Sequence, residues 1–160
     1  AAAAAAAASS SSSAAAGRRP RRSPEMERAV RREWLACHVR ECLCLDELEP
    51  PPPRGVALVG SSIFEEWGAW ALEDLCGLPI YNRSLGGTVT GEVNEIFRRA
   101  VASHRPAVVA YYAGSNDVNN GAPPEAIARN VAAFCELAEG LVPGVRVVYV
   151  SVLECPQKAG

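Results

Sequence analysis

The chain has 160 residues, 49% of them hydrophobic, and a formal net charge of −2. That is enough apolar content for one ordinary domain with its own core. The near-neutral balance gives no electrostatic case for a nucleic acid or an anionic membrane surface as partner. No apolar run approaches the ~20 residues that a membrane span requires.

Residues 1–24 are almost pure Ala and Ser, followed by Arg18, Arg19, Arg21 and Arg22, without one acidic side chain. A stretch of this kind buries nothing specific and is expected to be disordered. Its composition also resembles an organellar transit peptide. Met26 is the only methionine, so residues 1–25 are also read as lying upstream of the true start. A cytoplasmic location is expected, with organellar import the alternative if residues 1–24 are a transit peptide.

From Met26 to about Leu48 the pattern is helical, and Val30, Trp34, Cys37, Cys44 and Leu48 fall near one face. Pro50 to Pro53 end that helix, because proline has no amide donor and disfavours helix in the residue before it. Strands and helices then alternate. Val56 to Val59 is a short continuous apolar run, as expected of a strand covered on both faces. A helix with Ile63, Trp67, Trp70 and Ala71 toward the core is expected next, then a strand at Ile80 and Tyr81. Val89, Val93, Ile96, Ala100 and Val101 mark another helix, and Ala107 to Tyr112 a third strand. Pro123 and Pro124 sit where a helix would begin, with Ile127, Val131, Phe134 and Ala138 along its buried side. After Pro143 and Gly144, Val145 to Val150 is the fourth strand. Such alternation means a parallel sheet with helices on its faces. The expected division is a low-complexity segment (1–24), a helix with a proline-rich linker (25–53) and an α/β domain (54–160).

Six cysteines, at 37, 42, 44, 76, 135 and 155, lack the paired spacing of a zinc site. They read as reduced thiols, and the group Cys37, His38, Cys42 and Cys44 as part of a helix rather than a metal site.

Function in an open parallel sheet gathers at the carboxyl ends of the strands. Three loops there stand out: Gly60-Ser61-Ser62, Asn82-Arg83-Ser84-Leu85-Gly86-Gly87-Thr88, and Ala113-Gly114-Ser115-Asn116-Asp117. Acyl transfer needs a nucleophile and donors aimed at the oxygen that becomes negative in the transition state. A serine at a helix start offers both a hydroxyl and an unpaired amide. A glycine in the next loop lets a second amide approach closely. An asparagine adds a third, uncharged donor. Ser62, Gly87 and Asn116 supply this set. Taken singly, each has an ordinary structural reading: helix cap, turn glycine, turn asparagine. Gly55 and Gly60 have the spacing of a phosphate-binding loop, but they bracket the strand itself and Ser61 stands where lysine should be. Asn82-Arg83-Ser84 fits a glycosylation sequon, which inside this loop reads as coincidence.

On these residues the chain resembles the SGNH hydrolase superfamily, the GDSL-type lipases and esterases. It looks most like the branch whose first block reads Gly-Ser-Ser. Val59 to Ile63 with Trp67 match that block, Asn82 to Gly87 the second, and Gly114 to Asp117 the third, with Gly121 after it. The resemblance runs from about Trp34 to Pro156. It implies a three-layer α/β/α, flavodoxin-like SGNH fold around a parallel sheet. It also implies Ser62 as nucleophile, an oxyanion hole from the Ser62 and Gly87 amides and the Asn116 side chain, and a small-molecule carboxylic ester as substrate. No cofactor or metal is implied, and oligomeric state is left open. Ser61 replaces the acidic residue of the Gly-Asp-Ser form, and Ser84 replaces a glycine of the second block. The family's base is a histidine in an Asp-x-x-His block that the chain does not contain, so a missing C-terminal part is expected. His104 is expected at the sheet edge away from Ser62, and His38 nearer but without an orienting carboxylate. A non-catalytic SGNH-like binding protein and a flavodoxin-like small-molecule binder are the alternatives.

Overall fold

The computed structural model describes residues 22–75 and 77–152. The expectation of disorder for 1–24 therefore lies almost wholly outside the described residues, as do Cys76 and Cys155.

The first helix, α1 (Pro24–Leu48), begins as its sequence directs. The Ser23 hydroxyl accepts from the Met26 amide at 3.2 Å, proline opens the first turn, and Glu25 and Glu27 favour its positive end. Its buried stripe is not the expected one. Leu35, Val39 and Cys42, spaced i, i+4, i+7, are buried, and Val39 and Cys42 cluster with Ala100. Val30, Cys37, Cys44 and Leu48 are exposed, and Trp34 is half-buried beneath the Arg31 guanidinium. Leu43, Leu45 and Leu48 are also exposed, so apolar residues occupy several sides of the helix end and periodicity alone could not select the packed face.

Strands β1 (Val56–Gly60), β2 (Ile80–Asn82), β3 (Val108–Tyr112) and β4 (Arg146–Tyr149) form one sheet in the order β2-β1-β3-β4. All pairs are parallel, with Val56 opposite both Ile80 and Val108, and Val108 opposite Arg146. Between β1 and β2 the expected single helix is two: α2 (Ser62–Trp67) and α3 (Trp70–Asp74), separated by Gly68 at φ 42°. That break resets the helical period, so Phe64 and Ala71 are buried while Ile63 and Trp70 face outward, Trp70 being 67% exposed. Helix α4 (Thr90–Ala100) leads through a 3₁₀ turn at Ala102–His104 into β3. A short α5 (Ser115–Asn119), not foreseen in the sequence, precedes α6 (Pro124–Leu141).

The strand alternation sends β1 side chains to two cores. Ala57 and Val59 join Val93, Phe97, Val109, Tyr111 and Phe134 under α4 and α6. Leu58 joins Phe64, Ala71, Ile80 and Tyr112 under α2 and α3. Phe134 packs edge-on against Phe97 at 5.0 Å and tilted against Tyr111 at 4.4 Å. The result is the expected three-layer arrangement of helices, parallel sheet and helices. Because the strands are parallel, the loops carrying Ser62, Gly87 and Asn116 leave the same edge.

Candidate active site

At the end of β1 the backbone is drawn tightly against β3. A Cβ on Gly60 would collide with the Tyr112 carbonyl oxygen, which accepts a hydrogen bond from the Ser61 amide at 3.1 Å. Ser61 occupies the N-cap position of α2, yet its side chain makes no capping bond, so the bland helix-cap reading of the serine pair fails at Ser61. Ser62 is the first residue of α2 and half-buried. Among the described residues neither its hydroxyl nor its amide has a hydrogen-bond partner, the amide because first-turn donors of a helix have no carbonyl to meet.

The loop after β2 is hung on that same turn. Asn82 Nδ2 donates to the Phe64 carbonyl at 2.5 Å, and its Oδ1 accepts from the Ser84 amide at 2.9 Å. The Leu85 amide and the Thr88 hydroxyl both donate to the Gly60 carbonyl, at 3.0 and 3.2 Å. These bonds lay Gly86 over Ser62: an added Cβ on Gly86 would stand 3.6 Å from Ser62 Cβ and would strike the Glu65 carboxylate. Gly87 follows at φ 78°, exposed, its amide without a partner among the described residues. Gly114 at φ 125° turns the chain into α5, where Asn116 Nδ2 donates to the Thr88 carbonyl at 2.9 Å and keeps a second N–H. Ser62 thus lies against Gly86, and Asn116 is tied to the residue after Gly87, so the three expected residues occupy one connected set of loops.

Several supporting residues carried no assignment in the sequence. Asp117, buried beside Asn116, accepts from the Thr90 amide and hydroxyl at 3.0 and 2.6 Å, and Asn130 donates to the same hydroxyl at 2.8 Å. Glu92 accepts from the Val89 amide at 3.0 Å and from Arg31. The adjacency of Asp117 to Asn116 was the one available signal; the others depend on tertiary placement.

Neither histidine has Ser62 as a hydrogen-bond partner. His38 Nε2 lies 3.3 Å from the Arg83 carbonyl and 3.6 Å from Cys42 Sγ. His104 Nε2 meets Asp46 at 2.8 Å, and Asp46 also pairs with Arg83. His104 borders a cavity of about 450 Å³ with Arg54, Ala107 and Val145, residues that precede β1, β3 and β4, so it stands at the amino edge of the sheet. Burial pushes the Cys42 thiol up to about 11, and raises the Tyr81 and Tyr111 hydroxyls above their ordinary value. No group of three or more His, Cys, Asp or Glu that could hold a metal occurs among the described residues. Cys37 and Cys44 are exposed and Cys42 buried, so the thiols of α1 do not converge.

A parallel sheet in the order β2-β1-β3-β4, with helices on both faces and its loops gathered at one carboxyl edge, defines a three-layer α/β/α fold. The chain belongs to the GDSL-like lipase/acylhydrolase family, whose model matches residues 56–159. Solved structures agree on the fold. A GDSL-like lipase from Bacteroides thetaiotaomicron VPI-5482 superposes with a TM-score of 0.64 at 23% identity, covering 75% of this chain and 62% of that one. A protein of acylhydrolase type from Bacteroides fragilis NCTC 9343 superposes at 0.56 and 23% identity, covering 66% of this chain and 53% of that one. The chain therefore spans between half and two thirds of the length of these structures. Among curated proteins no match was found.

Proposed function

We propose that the chain is a hydrolase of carboxylic esters in which Ser62 is the nucleophile. The observation that carries this reading is the unpaired Ser62 hydroxyl on a connected set of loops that also bears three uncommitted donors: its own amide, the Gly87 amide and the second Asn116 N–H. In the proposed reaction Ser62 Oγ bonds to the acyl carbon and the carbonyl oxygen takes up negative charge facing those donors. The ester C–O bond then breaks, the alcohol leaving with the proton given up by Ser62, and water hydrolyses the acyl-Ser62 ester to release the acid and restore the hydroxyl. Fixed donors at a developing oxyanion are typically the largest single contribution to such catalysis. Neither histidine of this chain hydrogen-bonds Ser62, since His38 meets the Arg83 carbonyl and His104 meets Asp46. These residues therefore account for the nucleophile and the anion site, and not for the general base. Without a base such an arrangement retains about 10³–10⁴-fold over water.

Reaction with an alkyl fluorophosphonate, followed by peptide mapping, tests the assignment. Slow labelling confined to Ser62 and lost in Ser62→Ala is the expected result; labelling elsewhere, or none, removes it. Because both histidines are committed elsewhere, a second reading has support: a pocket that binds an ester or acid without turning it over. Ligand-induced thermal stabilisation with no Ser62 labelling would favour that reading.

A further inference from the structure

We propose that Arg31, on the helix that precedes the family-matched residues, is a positioning residue that clamps Gly87 so that its amide faces the oxyanion. This rests on the Ser62 reading above. Gly87 has no packing of its own: it is exposed, its backbone is left-handed, and nothing lies within 4 Å of where a Cβ would stand. A glycine so placed rotates freely unless its neighbouring peptides are held. The Gly86–Gly87 peptide, which carries the amide in question, has no intramolecular bond at that amide among the described residues. Its orientation therefore depends on the peptide that follows, and that one is held from two sides. The Thr88 amide donates to Leu85 at 3.3 Å, and Arg31 Nη2 donates to the Gly87 carbonyl at 2.6 Å.

Arg31 is itself fixed. Its Nε and Nη2 grip both oxygens of Glu92 at 2.5 and 2.6 Å, and its guanidinium lies 4.0 Å from the centre of the Trp34 ring. Glu92 in turn accepts from the Val89 amide, two residues beyond Gly87. One planar fork thus joins α1, the first turn of α4 and the carbonyl of Gly87, a geometry that a lysine's single ammonium does not reproduce. Since the Arg31 charge is matched by Glu92, the clamp acts by orientation rather than by adding positive potential to the site.

The test is the rate of Ser62 phosphonylation by the same fluorophosphonate on the full chain, resolved into reagent affinity and the first-order inactivation constant. Arg31→Met is expected to lower the inactivation constant about tenfold, less than the ~10²–10³ for deleting a donor outright, with affinity changed less than twofold. Arg31→Lys is expected to recover part of the loss, remaining about threefold below the parent, and Arg32→Met, on an exposed neighbouring arginine, to match it. If Arg31→Met does not fold, Arg31→Lys decides alone. Ser62-dependent labelling at the parental rate in Arg31→Lys and in any folded Arg31→Met overturns the clamp and leaves the nucleophile standing. No labelling above the Ser62→Ala background removes both.

Discussion

At the scale of single residues, two glycines of the site differ in what they demand. Gly60 has no room for a side chain, because the Tyr112 carbonyl occupies the position of a Cβ. Gly87 has room but a left-handed backbone. Gly60→Ala is expected to cost more than about 3 kcal/mol, the scale of severe steric conflict at a packed position. Gly87→Ala is expected to cost about 1–2 kcal/mol, the penalty of a left-handed L-residue. Urea unfolding of the two variants checks the order. Cys42 gives a pH signature. Its ordinary value of 9.0 is raised to about 11 in the fold by burial, so below pH 9 the thiol is protonated folded or unfolded. Between 9 and 11 only the unfolded thiol ionises, and stability falls as pH rises. Urea midpoints at pH 8 and 10.5 should therefore differ less in Cys42→Ala than in the parent. The sequence placed Ser62, Gly87 and Asn116 in the loops that follow β1, β2 and β3, and that placement was legible because the strands themselves were. Gly86 was not singled out, since its closeness to Ser62 is set by the bonds from Leu85 and Thr88 to Gly60.

At the scale of elements, chain order was readable and orientation was not. The apolar runs and prolines located α1, all four strands and α6 within a few residues, β1 most directly, because a strand buried on both faces leaves a signal that needs no partner. The rotation of α1 was missed: its apolar residues surround the helix, and the side that turns inward is the one where Val39 and Cys42 meet Ala100 of α4. Gly68 likewise redirected the helix after Ser62 in a way that a single period could not anticipate. What fastens α1 at its far end is ionic. Asp46 holds both Arg83 and His104, with side chains of Arg83 and Asp46 about nine-tenths buried. Asp46→Asn would leave the Arg83 guanidinium buried without its counter-charge. The expected loss is about 3–5 kcal/mol, read from urea unfolding.

At the scale of the whole molecule, parallel strands and the order β2-β1-β3-β4 leave β4 bonded on one side only among the described residues. Its outer surroundings are apolar. Val148, Tyr149 and Val150 are exposed, and beside them lies an open groove of about 570 Å³ lined by Val118, Ile127, Val131, Tyr149 and Val152. An unpaired strand edge next to an exposed apolar surface is a template for association with another chain. The four-strand alternation was legible from Val56 to Val150, but which strand ends the sheet is a topological fact that periodicity does not carry. The 160-residue chain is therefore expected to self-associate with rising concentration, as light scattering coupled to size exclusion would record. Val148→Lys places a charge on the exposed face of β4, where edge strands commonly carry one, and is expected to shift the distribution toward monomer. Because Val148 is already 45% exposed, the substitution should alter the urea midpoint little, within about 0.5 kcal/mol. A strictly monomeric parent at high concentration would mean that the edge is covered. An unchanged distribution in Val148→Lys would place the association on another surface, the exposed Trp70 of α3 being the next to test.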